Sequence, residues 1–207
     1  MTATSRPGPA GGSHERAAVD RARPPWDEPP ARPLDRALLD AFTAYARAGG
    51  GAVADVGCGP GHLTAHLDRR GVRAFGVDPS PARVAAARRS YPWLRFEVGP
   101  MAGLDVADGT LSGVLSWYAT VHTPPSGLPG LFAGFARALA PGGYALVAFE
   151  TDDGHPSGPG VYGTPPGLVA GLLAEAGLAE TARTVRAPDG DESAPRGFVL
   201  ARRPPAA

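Results

Sequence analysis

The sequence predicts an α/β fold: a doubly wound, mostly parallel sheet covered by helices on both faces. Two observations carry that expectation. Strand-like and helix-like segments alternate from about residue 34 to residue 203, and the first strand-like run, AVADV, passes into the turn GCGPG and then a helical stretch. A strand buried on both faces reads as a short unbroken run of small apolar residues, as this one does.

Residues 1–33 stand apart from the rest. Prolines at 7, 9, 24, 25, 29 and 30 would break any helix or ladder laid through them, so the segment reads as a disordered Pro/Gly/Arg-rich tail. A segment that orders over a ligand, anchored by Trp26, is the alternative reading. Residues 34–207 then form one domain, long enough for a core of its own.

Within that domain Leu34, Leu38, Leu39, Phe42 and Tyr45 recur at helical spacing, and the run stops at Gly49, Gly50 and Gly51. The strand AVADVG follows, then a helix from about Gly61 to Arg70, the strand VRAFGVD, a helix from Ser80 to Ser90, and the strands LRFEVG and LSGVLSWY. Ser80 suits the helix start because its hydroxyl can accept from orphan amides, and Pro81 suits the first turn. The second half reads as a helix LPGLFAGFARALA stopped by PGG, a strand YALVAFE, a glycine-rich loop and a helix GLVAGLLAEAGL. Two last strands, ETARTVRA and GFVLARR, flank the turn-rich PDGDESAP. That hairpin predicts an antiparallel strand at or near a sheet edge.

The formal net charge is zero and all twenty basic residues are arginine. A balanced chain carries no electrostatic footprint for nucleic acid or an anionic membrane surface, so neither is expected as a partner. Cys58 is the only cysteine, which excludes an intramolecular disulfide and a cysteine zinc cluster and fits a reducing, cytoplasmic setting. The N-terminus has no apolar signal region and no window approaches the ~20 apolar residues of a membrane span.

In an open parallel sheet, ligands bind beyond the carboxyl ends of the strands, near the point where successive crossovers leave in opposite directions. The glycines at 57, 59 and 61 let the turn after the first strand adopt backbone angles closed to other residues, and the amides opening the next helix then face a ligand. Asp78 ends the second strand, where it would accept from both hydroxyls of a ribose. A nicotinamide dinucleotide and S-adenosylmethionine (SAM) both fit that outline. The dinucleotide pattern G-x-G-x-x-G needs glycine at 62, where this chain has histidine. Asp55, two residues before the turn, opposes a pyrophosphate and suits a ligand carrying an ammonium and a sulfonium. At ~4 Å and a surface-like dielectric such a charge pair is worth ~4 kcal/mol before desolvation.

At these residues the chain resembles the class I SAM-dependent methyltransferases, in particular the small-molecule branch with a compact Rossmann-like domain. The likeness rests on VADVGCGPG, FGVDPS, FEVGPMAGLD, GVLSWYATVHTPP, LAPGGYALVAF, LLAEAGL and GFVLARR in that order. It implies that Asp55 and the amides from Gly57 through Cys58, Gly59 and Pro60 to Gly61 hold the methionine end. Asp78 would take the ribose and Pro79 would lie on the adenine. Pro100, Met101 and Ala102 would line the adenine edge, while Ser116, Trp117 and Tyr118 would close the pocket after the fourth strand. Many relatives carry an acid where this chain has Pro100, so adenine recognition falls to backbone or to Asp105. The implied reaction is methyl transfer to a small-molecule acceptor with release of S-adenosylhomocysteine. A SAM-binding module without turnover and a nicotinamide-dependent reductase are the alternatives.

His122 follows the fourth strand, where its ordinary pKa of ~6.5 suits a general base toward a hydroxyl or amine acceptor, and Tyr118 stands beside it as a pocket wall or second catalytic group. Cys58 reads as a small residue in a crowded turn rather than a nucleophile. Asp152, Asp153 and His155 read as a polar loop and not a metal site; no metal is expected. His62 and His66 read as helix-surface residues, and Trp93 and Phe96 as core or helix-to-strand contacts.

Overall fold

The computed structural model describes residues 32–151, 161–190 and 192–206. Most of the predicted tail, Trp26 included, and the loop of Asp152, Asp153 and His155 lie outside them.

The chain runs α1 (Pro33–Gly49), β1 (Ala52–Val56), α2 (His62–Arg69), β2 (Ala74–Asp78), α3 (Pro81–Ser90), β3 (Arg95–Val98), β4 (Leu111–Trp117), α4 (Leu128–Ala138), β5 (Leu139–Glu150), α5 (Pro166–Glu175), β6 (Ala179–Arg186) and β7 (Arg196–Arg202). The local signals explain these bounds. Gly50 ends α1 in the left-handed region at φ 70°, its amide bonded back to Arg47 O. Ser80 caps α3, its hydroxyl accepting from the Arg83 amide.

One seven-stranded sheet has the order β3-β2-β1-β4-β5-β7-β6. Strands β1 to β5 are parallel to one another, and β7 is antiparallel to both β5 and β6. The predicted antiparallel strand is therefore β7, one place in from the edge that β6 forms. Strand order turns outward in both directions from β1 and β4, which places the switch point at their carboxyl ends.

Helices cover both faces. On one, Leu39, Phe42 and Ala46 of α1 and Leu63 and Leu67 of α2 pack with Val53, Leu115 and Leu146. On the other, Leu131, Phe132 and Phe135 of α4 and Leu173 of α5 pack with Ala54, Val114 and Val147. A smaller cluster of Cys58, Val84, Ala87 and Phe96 closes the first face under α3. All seven residues of β4 are buried, as a central strand in a two-sided core requires.

Several sequence expectations are corrected. Helix α4 ends at Ala138, not at Ala140, and β5 starts at Leu139 rather than after PGG. Leu111 pairs with Leu139 and Gly113 with Tyr144, so β5 carries PGG as a bulge held by Gly142 N to Arg203 O (2.9 Å) and Arg203 N to Gly143 O (2.8 Å). Trp93 is 66% exposed, its indole N–H 3.3 Å from Asp68, whereas Phe96 is core as expected. His66 is buried against the α1 side rather than on the surface, and burial lowers its pKa. His62 is half-buried, 2.8 Å from the Tyr91 hydroxyl.

Candidate functional site

The turn between β1 and α2 adopts the backbone that its glycines allow. Gly57, Gly59 and Gly61 stand at φ 75°, 53° and 88°. Their surroundings differ. A Cβ on Gly57 would collide with Ala119, and one on Gly61 would lie 2.6 Å from the Phe96 ring, but one on Gly59 would meet nothing. Gly59 is thus the point where bare backbone faces open space.

The loop's amides are not aimed outward, contrary to the simple anion-nest expectation. Gly57 and Cys58 N donate to Val77 O (2.7 and 3.1 Å), Gly61 N to Cys58 O (3.0 Å), and Gly59 N to Asp78 Oδ2 (2.9 Å). Pro60 has no N–H to offer. The turn has spent its donors in fixing itself, which is unhelpful to a pyrophosphate and neutral toward a cation. Cys58 faces inward: a Cβ added to Gly76 would lie 2.6 Å from its Sγ, and burial pushes the thiol's pKa up, so it stays protonated.

Two carboxylates end the adjacent strands β1 and β2 beneath this turn. Asp55 is 2% exposed and accepts from the Thr64 hydroxyl at 2.6 Å. Burial raises its pKa to about 7, against the pull of the Thr64 hydroxyl and amide and with a further push from Asp78. Asp78 has no exposed surface; Oδ1 accepts from Ser80 N (2.8 Å) and Oδ2 from Gly59 N. Each of its oxygens keeps one lone pair. The exposed Arg83 side chain stands over this end of the strand with Nη1 4.0 Å from Oδ2, and a ligand hydroxyl reaches the buried oxygens only where a covering group gives way.

Beside Asp78, a cavity of about 430 Å³ opens at the carboxyl ends of β2 and β3, lined in part by Val77, Val98, Gly99, Pro100 and Asp105. Of the other expected adenine contacts, Pro79 and Ala102 are exposed and Met101 is half-buried, but none of the three is among the cavity's lining residues: the Met101 sulfur lies toward Gly57 and the Ala102 backbone against Gly134. Asp105 therefore shares a cavity with Pro100 and brings a carboxylate to that wall.

At the end of β4 the structure separates three neighbours. The Ser116 hydroxyl is buried with no hydrogen-bond partner among the described residues. Trp117 is core, its ring 5.6 Å from Phe198, so only its backbone can face a ligand at the strand end. Tyr118 is the one described non-glycine residue at positive φ, 53°, a strained geometry for an aromatic residue. Its amide donates to Ala148 O (2.8 Å), and the Arg196 guanidinium lies 5.1 Å above its ring. Burial pushes the phenol's pKa up, with the Asp35 charge adding, so at neutral pH the hydroxyl remains a donor and not a base. His122 is exposed on the 3-10 turn Thr120–His122.

Behind Tyr118 stands a set of ion pairs that sequence reading missed. Arg186 Nε donates to Asp35 Oδ1 (2.8 Å) and Nη1 to Glu192 Oε2 (2.7 Å), while Arg196 pairs with Glu150 and lies 3.3 Å from Glu192. These join α1, the ends of β5 and β6, and the β6–β7 connection, and no local pattern announces partners as distant as Asp35 and Arg186. Thr64 was missed too, though a hydroxyl in the first turn of the helix after the acid-bearing strand was a readable signal. Among the described residues no three His, Cys, Asp or Glu side chains are grouped to hold a metal, and no helix is long and apolar enough to cross a membrane.

Comparison with known proteins bears on this site directly. Residues 53–143 match the family model described as a methyltransferase domain. The chain is 37% identical over 111 residues to a trans-aconitate 2-methyltransferase of Methylobacterium nodulans, covering 51% of this chain and 40% of that protein. The matched stretch spans only about two fifths of the length of such curated relatives. The fold superposes on geranyl diphosphate C-methyltransferase from Streptomyces coelicolor A3(2) with a TM-score of 0.68 at 19% identity, covering 82% of this chain and 81% of that one. It also superposes on the [4+2]-cyclase SpnF with a TM-score of 0.71 at 16% identity, covering 83% and 82%. The glycine turn and the two strand-end acids thus lie within a stretch that matches a methyltransferase domain, and the seven-stranded sheet shares the Rossmann-like fold of solved methyltransferases.

Proposed function

We propose that the chain binds SAM across the carboxyl ends of β1, β2 and β4 and transfers its methyl group to a small-molecule acceptor, releasing S-adenosylhomocysteine. The observation that carries this reading is the pair of carboxylates, Asp55 and Asp78, closing adjacent strands under a turn whose amides are already spent. That arrangement receives a cationic, ribose-bearing ligand and offers little to a pyrophosphate. Gly59's open side and the orphaned Ser116 hydroxyl fit a ligand lying over the strand ends.

When bound, SAM supplies a methyl group already activated on a sulfonium. The chain's residues have the simpler task of placement. Asp55 would set the field at the methionine end, Asp78 would accept from the ribose, and the Asp105 and Pro100 cavity would take the adenine. Alignment of acceptor and methyl within ~3 to 3.5 Å can supply ~7 to 11 kcal/mol in favourable cases. Tyr118, held in one orientation by Trp117, Phe198 and Arg196, would form the acceptor wall. His122 is exposed at the same end, and it would take the proton from a hydroxyl or amine acceptor.

The similar proteins are named for a carboxylate acceptor, trans-aconitate, and for geranyl diphosphate, so both belong in an acceptor panel. Radiolabelled SAM should transfer its methyl to at least one member of a broad small-molecule panel. The likeness to a [4+2]-cyclase favours a second reading, in which the fold binds SAM without passing on the methyl. Tight SAM binding with no label transferred would support that second reading, and binding of NADH in place of SAM would overturn both.

A further inference from the structure

We infer that Thr64 is a positioning residue for the cofactor's cationic end, acting through Asp55, and that binding expels a proton from this buried pair. The inference rests on the proposed SAM site and adds to it a residue and a proton.

Two helical threonines of this chain show what is unusual. Thr43 of α1 donates to Leu39 O four residues back, at 2.6 Å, which is the ordinary bond of a threonine inside a helix. Thr64 of α2, fully buried, instead spends its hydroxyl on the Asp55 carboxylate across the β1–α2 turn, also at 2.6 Å. The bond fixes one carboxylate oxygen and so aims the other.

The surroundings supply no positive charge. Asp78 from β2 is a like charge, the buried Cys58 thiol from the turn is neutral, and Leu115 is the β4 residue in register with Asp55. Arg83 of α3 stands by Asp78. Among the described residues Asp55 makes no ion pair. A carboxyl sealed from water, with a hydroxyl donor and a neighbouring anion but no cation, holds its proton more firmly than one in solvent. Its value near 7 agrees with that geometry. Bringing in the ammonium and sulfonium of the cofactor reverses the balance: the O–H bond of Asp55 breaks, the proton leaves to solvent, and the carboxylate faces the cation.

The test is calorimetric titration of SAM into the full chain between about pH 5.5 and pH 7, in two buffers of different ionisation enthalpy. In this range the ligand's α-amino group stays protonated. Wild type should release close to one proton per SAM at the acid end, with affinity rising up to about tenfold per pH unit. Thr64→Ser should behave as wild type. Thr64→Val, which removes the donor at nearly constant shape, should bind about tenfold more weakly at pH 7 and shift the affinity profile upward by about one pH unit. Asp55→Asn should bind without proton release, and this comparison decides the matter if Thr64→Val fails to fold. Binding by wild type with no proton release, or an unchanged profile in Thr64→Val, would overturn the inference alone. Absence of SAM binding by wild type would overturn the site reading beneath it.

Discussion

The two ends of the site are built in opposite ways. At the β1–β2 end, Asp55, the glycine turn, Thr64 and Asp78 fall within 24 consecutive residues, and each hydrogen bond there joins close neighbours in sequence or strands adjacent in the sheet. At the β4–β5 end, Tyr118 is backed by Arg196, Glu150, Arg186, Glu192 and Asp35, which come from four elements and a connection. The first end is a local motif with an uncompensated buried acid. The second is an ion network in which every acid has an arginine partner and whose order depends on the whole fold. On the proposed reading, cofactor recognition would be carried by a short stretch, while the acceptor wall would be set by long-range assembly.

The comparison breaks most completely at Gly61. Gly61→Val puts a β-branched residue at φ 88° and a Cβ 2.6 Å from Phe96, so we expect a loss of about 4 kcal/mol or more in denaturant unfolding, with SAM binding lost as well. Arg186→Met should cost ~3 to 5 kcal/mol, because it leaves Asp35 and Glu192 buried beside each other without their shared partner. Yet SAM affinity in the folded variant should stay within about twofold. A matched loss of affinity would show that the two ends are not separable.

The two ends should also titrate in opposite senses. Burial raises the Glu192 pKa, but the Arg186 hydrogen bonds, the Asp189 amide and the Arg196 charge overcome it and hold the group at about 2. That contribution is present above the ordinary 4.5 and is lost as pH falls toward 2. Asp55 runs the other way: with its pKa raised from 3.8 to about 7, stability is fullest below 3.8 and declines as pH rises toward 7. Asp55→Asn should abolish that decline and raise Tm at pH 8, by an amount equivalent to about 2 to 4 kcal/mol, while weakening SAM binding. A Tm at pH 8 equal to or below wild type would contradict the assignment of the strain to Asp55. The smallest effect on stability belongs to His122→Ala, within about 0.5 kcal/mol because the side chain is exposed; kcat should fall about 100-fold if the acceptor must lose a proton.

What was legible in the sequence follows the same division. The alternation of apolar runs and helical spacing gave every strand and helix, because each is specified by its own residues, and GCGPG marked the turn because only glycine accommodates its three positive φ angles. The PGG bulge in β5 was misplaced, since a glycine pair after a helix reads the same whether the chain turns or kinks within a strand. His66 was misjudged as surface because helical spacing says which residues share a face but not which helix covers it, and Trp93 proved to be a connection residue bonded to Asp68 rather than core. The Arg186–Asp35 pair, 151 positions apart, leaves no mark in any local window. The engaged amides of the turn were also hidden, because their acceptors, Val77 O and Asp78, belong to the next strand.

The central claim is that the strand-end acids hold SAM. It is tested most directly by titrating S-adenosylhomocysteine and NADH in parallel into wild type and Asp78→Ala. The account predicts saturable S-adenosylhomocysteine binding, no NADH binding, and a Kd at least tenfold weaker in the folded variant, a loss of ~1.4 kcal/mol. NADH binding alone, or an unchanged Kd in Asp78→Ala, would contradict it.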